Sequence, residues 1–115
     1  MKIDKPWGTE HTWAETDDYV GKMLFINKGE RLSLKYHTKK TLTIYVIEGS
    51  MELTLDEGSR RDKQSFILKE GDTYHIKPLT VHRFCANQHR PVKLVEVSTI
   101  HKDDVVRIED DYSRK

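Results

Sequence analysis

The chain has 115 residues, 36% hydrophobic and 34% charged, enough for one domain with one core and no second module. Its 20 lysines and arginines against 19 aspartates and glutamates leave a formal net charge of +1, so no global field draws it to nucleic acid or to a membrane surface, and neither is expected as a partner. No apolar run is long enough to span a membrane, residues 1–6 lack the apolar region of a signal peptide, and the single cysteine, Cys85, cannot form an internal disulfide. The expectation is a cytoplasmic protein with Cys85 as a buried small hydrophobe.

Glycines and prolines punctuate the chain, and between them apolar residues alternate rather than recur at 3.6. The first predicted strand runs Lys22–Asn27, followed by a turn at Lys28-Gly29-Glu30 and a second strand over Leu32–His37. Leu42–Glu48 is rich in β-branched and aromatic residues, and Gly49-Ser50 turns the chain into Met51–Leu55. Asp56–Arg61 reads as a hairpin tip, where Glu57-Gly58-Ser59 permits positive φ. Strands follow over Ser65–Leu68, Thr73–Ile76, His82–Ala86 and Val92–Ser98. The tail from Asp103 to Arg114 can hold at most a helical turn, since Val105-Val106 disfavour a long helix. Short strands at this spacing predict an all-β sandwich or barrel, with at least eight strands and almost no helix. The low apolar fraction and the unpaired edges of terminal strands favour a homodimer.

Alternation also assigns faces. Ser33, Lys35 and His37 share one face of their strand; Leu42, Ile44 and Val46 share another, as do Met51, Leu53 and Leu55. Val92, Leu94, Glu96 and Ser98 form one row, with Lys93, Val95 and Val97 behind it. If the rows of Leu42 and Leu94 face inward, Glu96 goes in with them, and an interior carboxylate needs a cation or donors. Lys35 is the candidate cation, with a solvated position at the barrel mouth as the alternative. His11, His75, His89 and His101 read as surface residues, and Trp7 as a plug on the barrel edge. No Gly-rich phosphate loop, CxxC pair or HExxH is present.

Two segments share a layout of glycine turn, strand and histidine at a strand end: Gly29–Gly49 (GERLSLKYHTKKTLTIYVIEG) and Gly71–His82 (GDTYHIKPLTVH). They resemble the two motifs of the cupin family, a small double-stranded β-helix barrel. Lys5-Pro6-Trp7-Gly8 with Glu10, Leu32-Ser33-Leu34, Glu96-Val97-Ser98-Thr99, and the tail from Asp104 to Tyr112 with Arg114 narrow the likeness. Together they resemble the cupin domain of type II mannose-6-phosphate isomerases, found alone or behind a mannose-1-phosphate guanylyltransferase. The likeness implies a single cupin domain over residues 1–115. It implies a divalent metal (zinc, manganese or nickel) held in part by His37 and His82, and a sugar phosphate or sugar nucleotide as ligand.

The departures carry as much weight. Lys35 stands where the close family has glutamine, and Leu42 where it has a glutamate ligand; Pro-x-Gly becomes Pro78-Leu79, and Tyr-Gly-Arg becomes Tyr112-Ser113-Arg114. Leucine cannot ligate a metal and an ammonium repels one, so the metal is expected to be weakly bound or absent. The implied chemistry is aldose–ketose isomerisation, with Lys35, His37, His82 and Glu96 as catalytic candidates and Arg107 on the phosphate. The alternatives are a non-catalytic sugar or sugar-nucleotide binding cupin, and a metal-free sugar isomerase or epimerase.

Overall fold

The computed structural model describes residues 1–56, 63–101 and 103–112. The expected hairpin tip at Glu57, Gly58 and Ser59, and the tail residue Arg114, lie outside the described residues. Eleven strands are described and no helix: β1 (Lys2–Lys5), β2 (Gly8–Glu15), β3 (Val20–Ile26), β4 (Leu34–Tyr36), β5 (Leu42–Glu48), β6 (Met51–Asp56), β7 (Gln64–Leu68), β8 (Thr73–Ile76), β9 (Val81–Ala86), β10 (Val92–Ser98) and β11 (Val106–Glu109). They form two antiparallel sheets, ordered β1-β2-β3-β10-β5-β8 and β11-β4-β9-β6-β7. Among the described residues no helix is long and apolar enough to cross a membrane.

Period-2 alternation builds the barrel. Leu42, Ile44 and Val46 of β5, Met51, Leu53 and Leu55 of β6, and Val92 and Leu94 of β10 are all buried, while Thr43, Tyr45 and Glu52, which alternate with them, are exposed. The two inner faces meet in one core with Trp7, Leu24, Ile26, Ile76 and Phe84. Fully burying each large side chain contributes about 1.5–3 kcal/mol. Trp7 is the expected plug, closed into this core. At the β5–β6 turn Gly49 has φ +83°, and a Cβ there would lie 2.5 Å from the Pro91 carbonyl oxygen, so only glycine fits.

The structure differs from the sequence expectation at both ends. The β1–β2 hairpin was not expected because KIDK and GTEHTWAE lack an apolar row, being an edge layer on β3. Among the described residues the tail forms no helical turn: Val106–Glu109 is a strand that takes the free edge of β4, where its β-branched residues suit a pleat. β4 is shorter than the predicted Leu32–His37: before it the chain meets β9 only through an isolated Arg31–Cys85 bridge with the Leu32 amide on the Phe84 carbonyl, and after it His37 leaves the strand toward the next turn. Cys85 is half-buried rather than buried.

Leu79 links β8 to β9 with φ +67°, a left-handed conformation that costs an L-residue about 1–2 kcal/mol. Its amide donates to the His37 carbonyl, which fixes the turn, and its side chain is exposed. Leu79→Gly relieves the strain and adds chain entropy to the unfolded state, so a net stabilisation of about 0.5–1 kcal/mol is expected by thermal denaturation. A destabilised variant would show that the leucine side chain packs usefully.

Candidate functional site

One end of the barrel opens into a cavity of about 400 Å³ lined from both sheets and the tail. Trp7, Leu24, Leu32, Leu42 and Phe84 give its apolar walls. Lys5, Lys22, Lys35, Lys40 and Arg107 bring positive charge to it, and Glu10, Glu96 and Asp103 bring negative charge. Lys35, His37, His82, Glu96 and Arg107, the five candidates, therefore share one cavity.

His82 lies on β9 opposite Lys35 of β4 and is 1% exposed. Its ring centroid is 5.4 Å from that of His37, with 44° between the planes. His82 Nδ1 is 2.9 Å from the Thr80 carbonyl oxygen and His37 Nδ1 is 2.5 Å from the Asp104 carbonyl oxygen. A carbonyl only accepts, so each Nδ1 carries the proton and each Nε2 keeps its lone pair. His82 Nε2 is buried with no hydrogen-bond partner among the described residues. Burial pushes the His82 imidazole down to about 3, and the Lys35 ammonium adds to the effect. His37 is lowered chiefly by burial, against the pull of the Asp104 carbonyl, with Lys40 and Lys35 lowering it further.

Glu96 is carried inside the barrel by its row, as its register requires, and is 8% exposed. Its cation at 3.8 Å is Lys40, itself 7% exposed. Sequence reasoning missed Lys40 because Thr38-Lys39-Lys40 reads as a solvated turn. Lys35 is half-buried beside His82 rather than fully solvated at the mouth. Arg107 pairs in register with Lys35 across β11–β4, and its Nε lies 4.0 Å from Asp110 Oδ2. Arg83 lies away from the cavity, held by the Leu32 carbonyl and by Glu109. Of the other histidines, His11, His75 and His89 are exposed and His101 is half-buried against Thr99.

Asp104 was also missed as an organiser. Its carboxylate accepts from the Thr38, Lys39 and Lys40 amides and from the Thr38 hydroxyl, at 2.6–2.9 Å. These donors hold its carboxyl well below the usual range. One tail residue thus sets both the His37 ring, through its carbonyl, and the turn that carries Lys40.

As a metal centre the donor set does not fit. Two imidazoles offer lone pairs, but Leu42 supplies none, Glu96 is engaged by Lys40, and the Lys35 ammonium stands beside His82. Among the described residues no three His, Cys, Asp or Glu side chains are grouped to hold an ion.

A small double-sheet barrel with histidines from both motifs facing one open end defines a cupin. The family described as "Mannose-6-phosphate isomerase C-terminal" matches residues 1–110, and the chain belongs to it. Among curated relatives, Alginate biosynthesis protein AlgA of Pseudomonas aeruginosa is 28% identical over 98% of this chain and 23% of its own length. Xanthan biosynthesis protein XanB of Xanthomonas campestris is 28% identical over 98% of the chain and 24% of its own length. Mannose-1-phosphate guanylyltransferase RfbM of Salmonella typhimurium is 22% identical over 95% and 22%. The chain thus spans about a quarter of the length of these relatives. Of the solved structures, KdgF from Halomonas sp. superposes with a TM-score of 0.76 at 20% identity, covering 90% of this chain and 88% of that one. The Lactobacillus farciminis oxalate decarboxylase formate complex gives 0.80 at 14% identity, covering 94% and 33%. Both likenesses concern the fold alone.

A neutral buried His82 makes stability depend on pH. Its folded value lies below the unfolded 6.5, so between about pH 6.5 and 3 the unfolded chain binds the extra proton. Stability is therefore full above pH 6.5 and falls as pH drops through that window. Urea denaturation from pH 7.5 to 4.5 is expected to show this fall, reduced in His82→Gln; an unchanged slope in the variant would place the titration elsewhere.

Proposed function

We propose that this cupin binds a sugar phosphate in the cavity between His37, His82 and the lysine–arginine rim, with little resident metal and with isomerase turnover far below that of an ordinary enzyme. The observation that carries this reading is the charge of the cavity. Five cationic side chains face three carboxylates, and Glu10 and Glu96 are already matched by Lys22 at 3.3 Å and Lys40 at 3.8 Å. The cationic side chains of the cavity outnumber its carboxylates, which suits a phosphate dianion, with Arg107, 4.0 Å from Asp110, offering a guanidinium fork. The Nε2 lone pairs of His37 and His82 accept from sugar hydroxyls, and Trp7, Leu42 and Phe84 wall the carbon skeleton. The family and its mannose-phosphate relatives support the ligand class.

Isomerisation moves a proton between C1 and C2 through an enediol and needs a base beside a polarised oxygen. Glu96 is tied to Lys40, and the depleted donor set leaves no strong Lewis acid, so binding is the better supported reading. Calorimetry is expected to show mannose 6-phosphate binding at least about 10-fold tighter than mannose, with Lys35→Met and Arg107→Gln each lowering affinity about 10-fold, the scale of one lost charge-assisted contact. Equal affinity for mannose and its phosphate would overturn the reading. Turnover of mannose 6-phosphate on the order of 10 per second would overturn the low-activity part.

We further propose that the protein acts in the cytoplasm as a homodimer joined through the outer face of the six-stranded sheet. Trp13, 51% exposed, lies over Gly21, which pairs with exposed Val97; one step along, Val95 pairs with exposed Tyr45. This contiguous apolar face fits a second copy presenting the same residues about a two-fold axis. Light scattering at tens of micromolar, an ordinary working range for such interfaces, should give twice the chain mass and the monomer for Trp13→Glu. A monomeric parent protein would sink the idea.

A further inference from the structure

We propose that Lys40 is the resident cation of this site and takes the place of a divalent metal ion beside His37 and His82. Four observations support it. The Lys40 side chain is almost fully buried yet lines the cavity, while surface lysines keep their ammonium in water. Its position is built: Glu96 holds the ammonium at 3.8 Å from inside the barrel, and the Asp104 carboxylate holds its amide at 2.8 Å. The same Asp104 fixes the His37 ring, so cation and imidazole are set by one clamp. Finally, two neutral imidazoles keep their Nε2 lone pairs, and His82 Nε2 is buried without a partner among the described residues.

A buried ion pair is a weak source of stability, since desolvation offsets its attraction, so stability alone does not account for a lysine there. In a ligand cavity the arrangement has a use. An ammonium carries three donors, and one carboxylate oxygen at 3.8 Å does not occupy them all. Lys40 donates to a ligand oxygen while the imidazoles accept from neighbouring hydroxyls, which is the polarising position a metal would hold. This contact with the ligand rests on the sugar-phosphate reading above; the exclusion of metal does not. A dication entering between the imidazoles meets the ammoniums of Lys35 and Lys40, and Glu96 is already engaged.

The test uses the full chain without a histidine tag, stripped of metal and titrated with Zn²⁺. Lys40→Met is expected to bind Zn²⁺ at least about 10-fold more tightly than the parent, the scale on which single neighbours of a metal site act. Adding His82→Ala should abolish the gain, and Lys40→Arg should leave affinity at the parental level. Lys40→Met with Glu96→Leu replaces the pair by apolar groups, so it stays folded where the single variant is strained, and it should show a Zn²⁺ gain as well. A parental Zn²⁺ affinity in both Lys40→Met proteins would overturn the proposal. Mannose 6-phosphate titrated into the same proteins separates the two readings: affinity should fall about 10-fold in Lys40→Met and recover in Lys40→Arg. If no protein binds the sugar phosphate while the Zn²⁺ results hold, the ligand reading and the Lys40 contact fail, and the replacement of metal by Lys40 stands.

Discussion

The carboxylate of Asp104 is the constraint on which this site depends. It comes from the tail, far along the chain from the turn it holds, and it satisfies three consecutive amides that no strand partner reaches. A turn entering a barrel end leaves such donors without a ladder, and of the three the Lys40 amide is the one partly withdrawn from water. By meeting them, Asp104 fixes Lys40 at one end of the turn, and its own carbonyl sets the tautomer of His37 at the other. The tail is anchored in turn beyond the cavity. Arg31 makes a two-pronged contact with Asp111 at 2.7 and 3.0 Å, and the Tyr112 hydroxyl donates to Glu30 at 2.6 Å.

Beneath this clamp the barrel divides into two zones. Residues such as Ile44, Val46, Met51 and Leu53 form a fully buried apolar layer that gives the sheets one registered packing. Toward the open end the same inward rows change character, and Glu96, Ser98, Lys35 and His82 replace the aliphatic side chains. Charges inside a barrel persist only when paired or reached by water, and here both conditions hold: Lys40 meets Glu96, and the cavity opens to solvent beside them. The imidazoles stay neutral because burial and nearby ammoniums act in the same direction. The mouth of this barrel therefore carries lysine and arginine beside its two neutral imidazoles.

Much of this was legible in the chain before any coordinates. The alternation in Leu42–Glu48, Met51–Leu55 and Val92–Ser98 gave the strands and their inward faces, and it placed Glu96 inside with a need for a cation. The resemblance of the two glycine-bounded motifs to the cupin pattern implied that His37 and His82 converge, and both line one cavity. Lys40 was hidden because a lysine in a Thr-Lys-Lys turn has no pattern that separates it from a solvated one. The β1–β2 hairpin and β11 were hidden because edge strands bury too little to leave an apolar row, and β11 owes its form to the open edge of β4.

What the sequence by itself determined is the all-β architecture and its inward rows, because side-chain alternation and turn residues act locally and read out along the chain; the two histidines were marked by the likeness of their motifs to the family's. What only the tertiary structure decided is which cation meets Glu96, how each imidazole is protonated, and what holds the turn between them. Those depend on groups separated by more than fifty residues, Lys40 with Glu96 and Asp104 with Thr38, and on the loss of water around them. Only closure of the barrel sets that distance and that dryness.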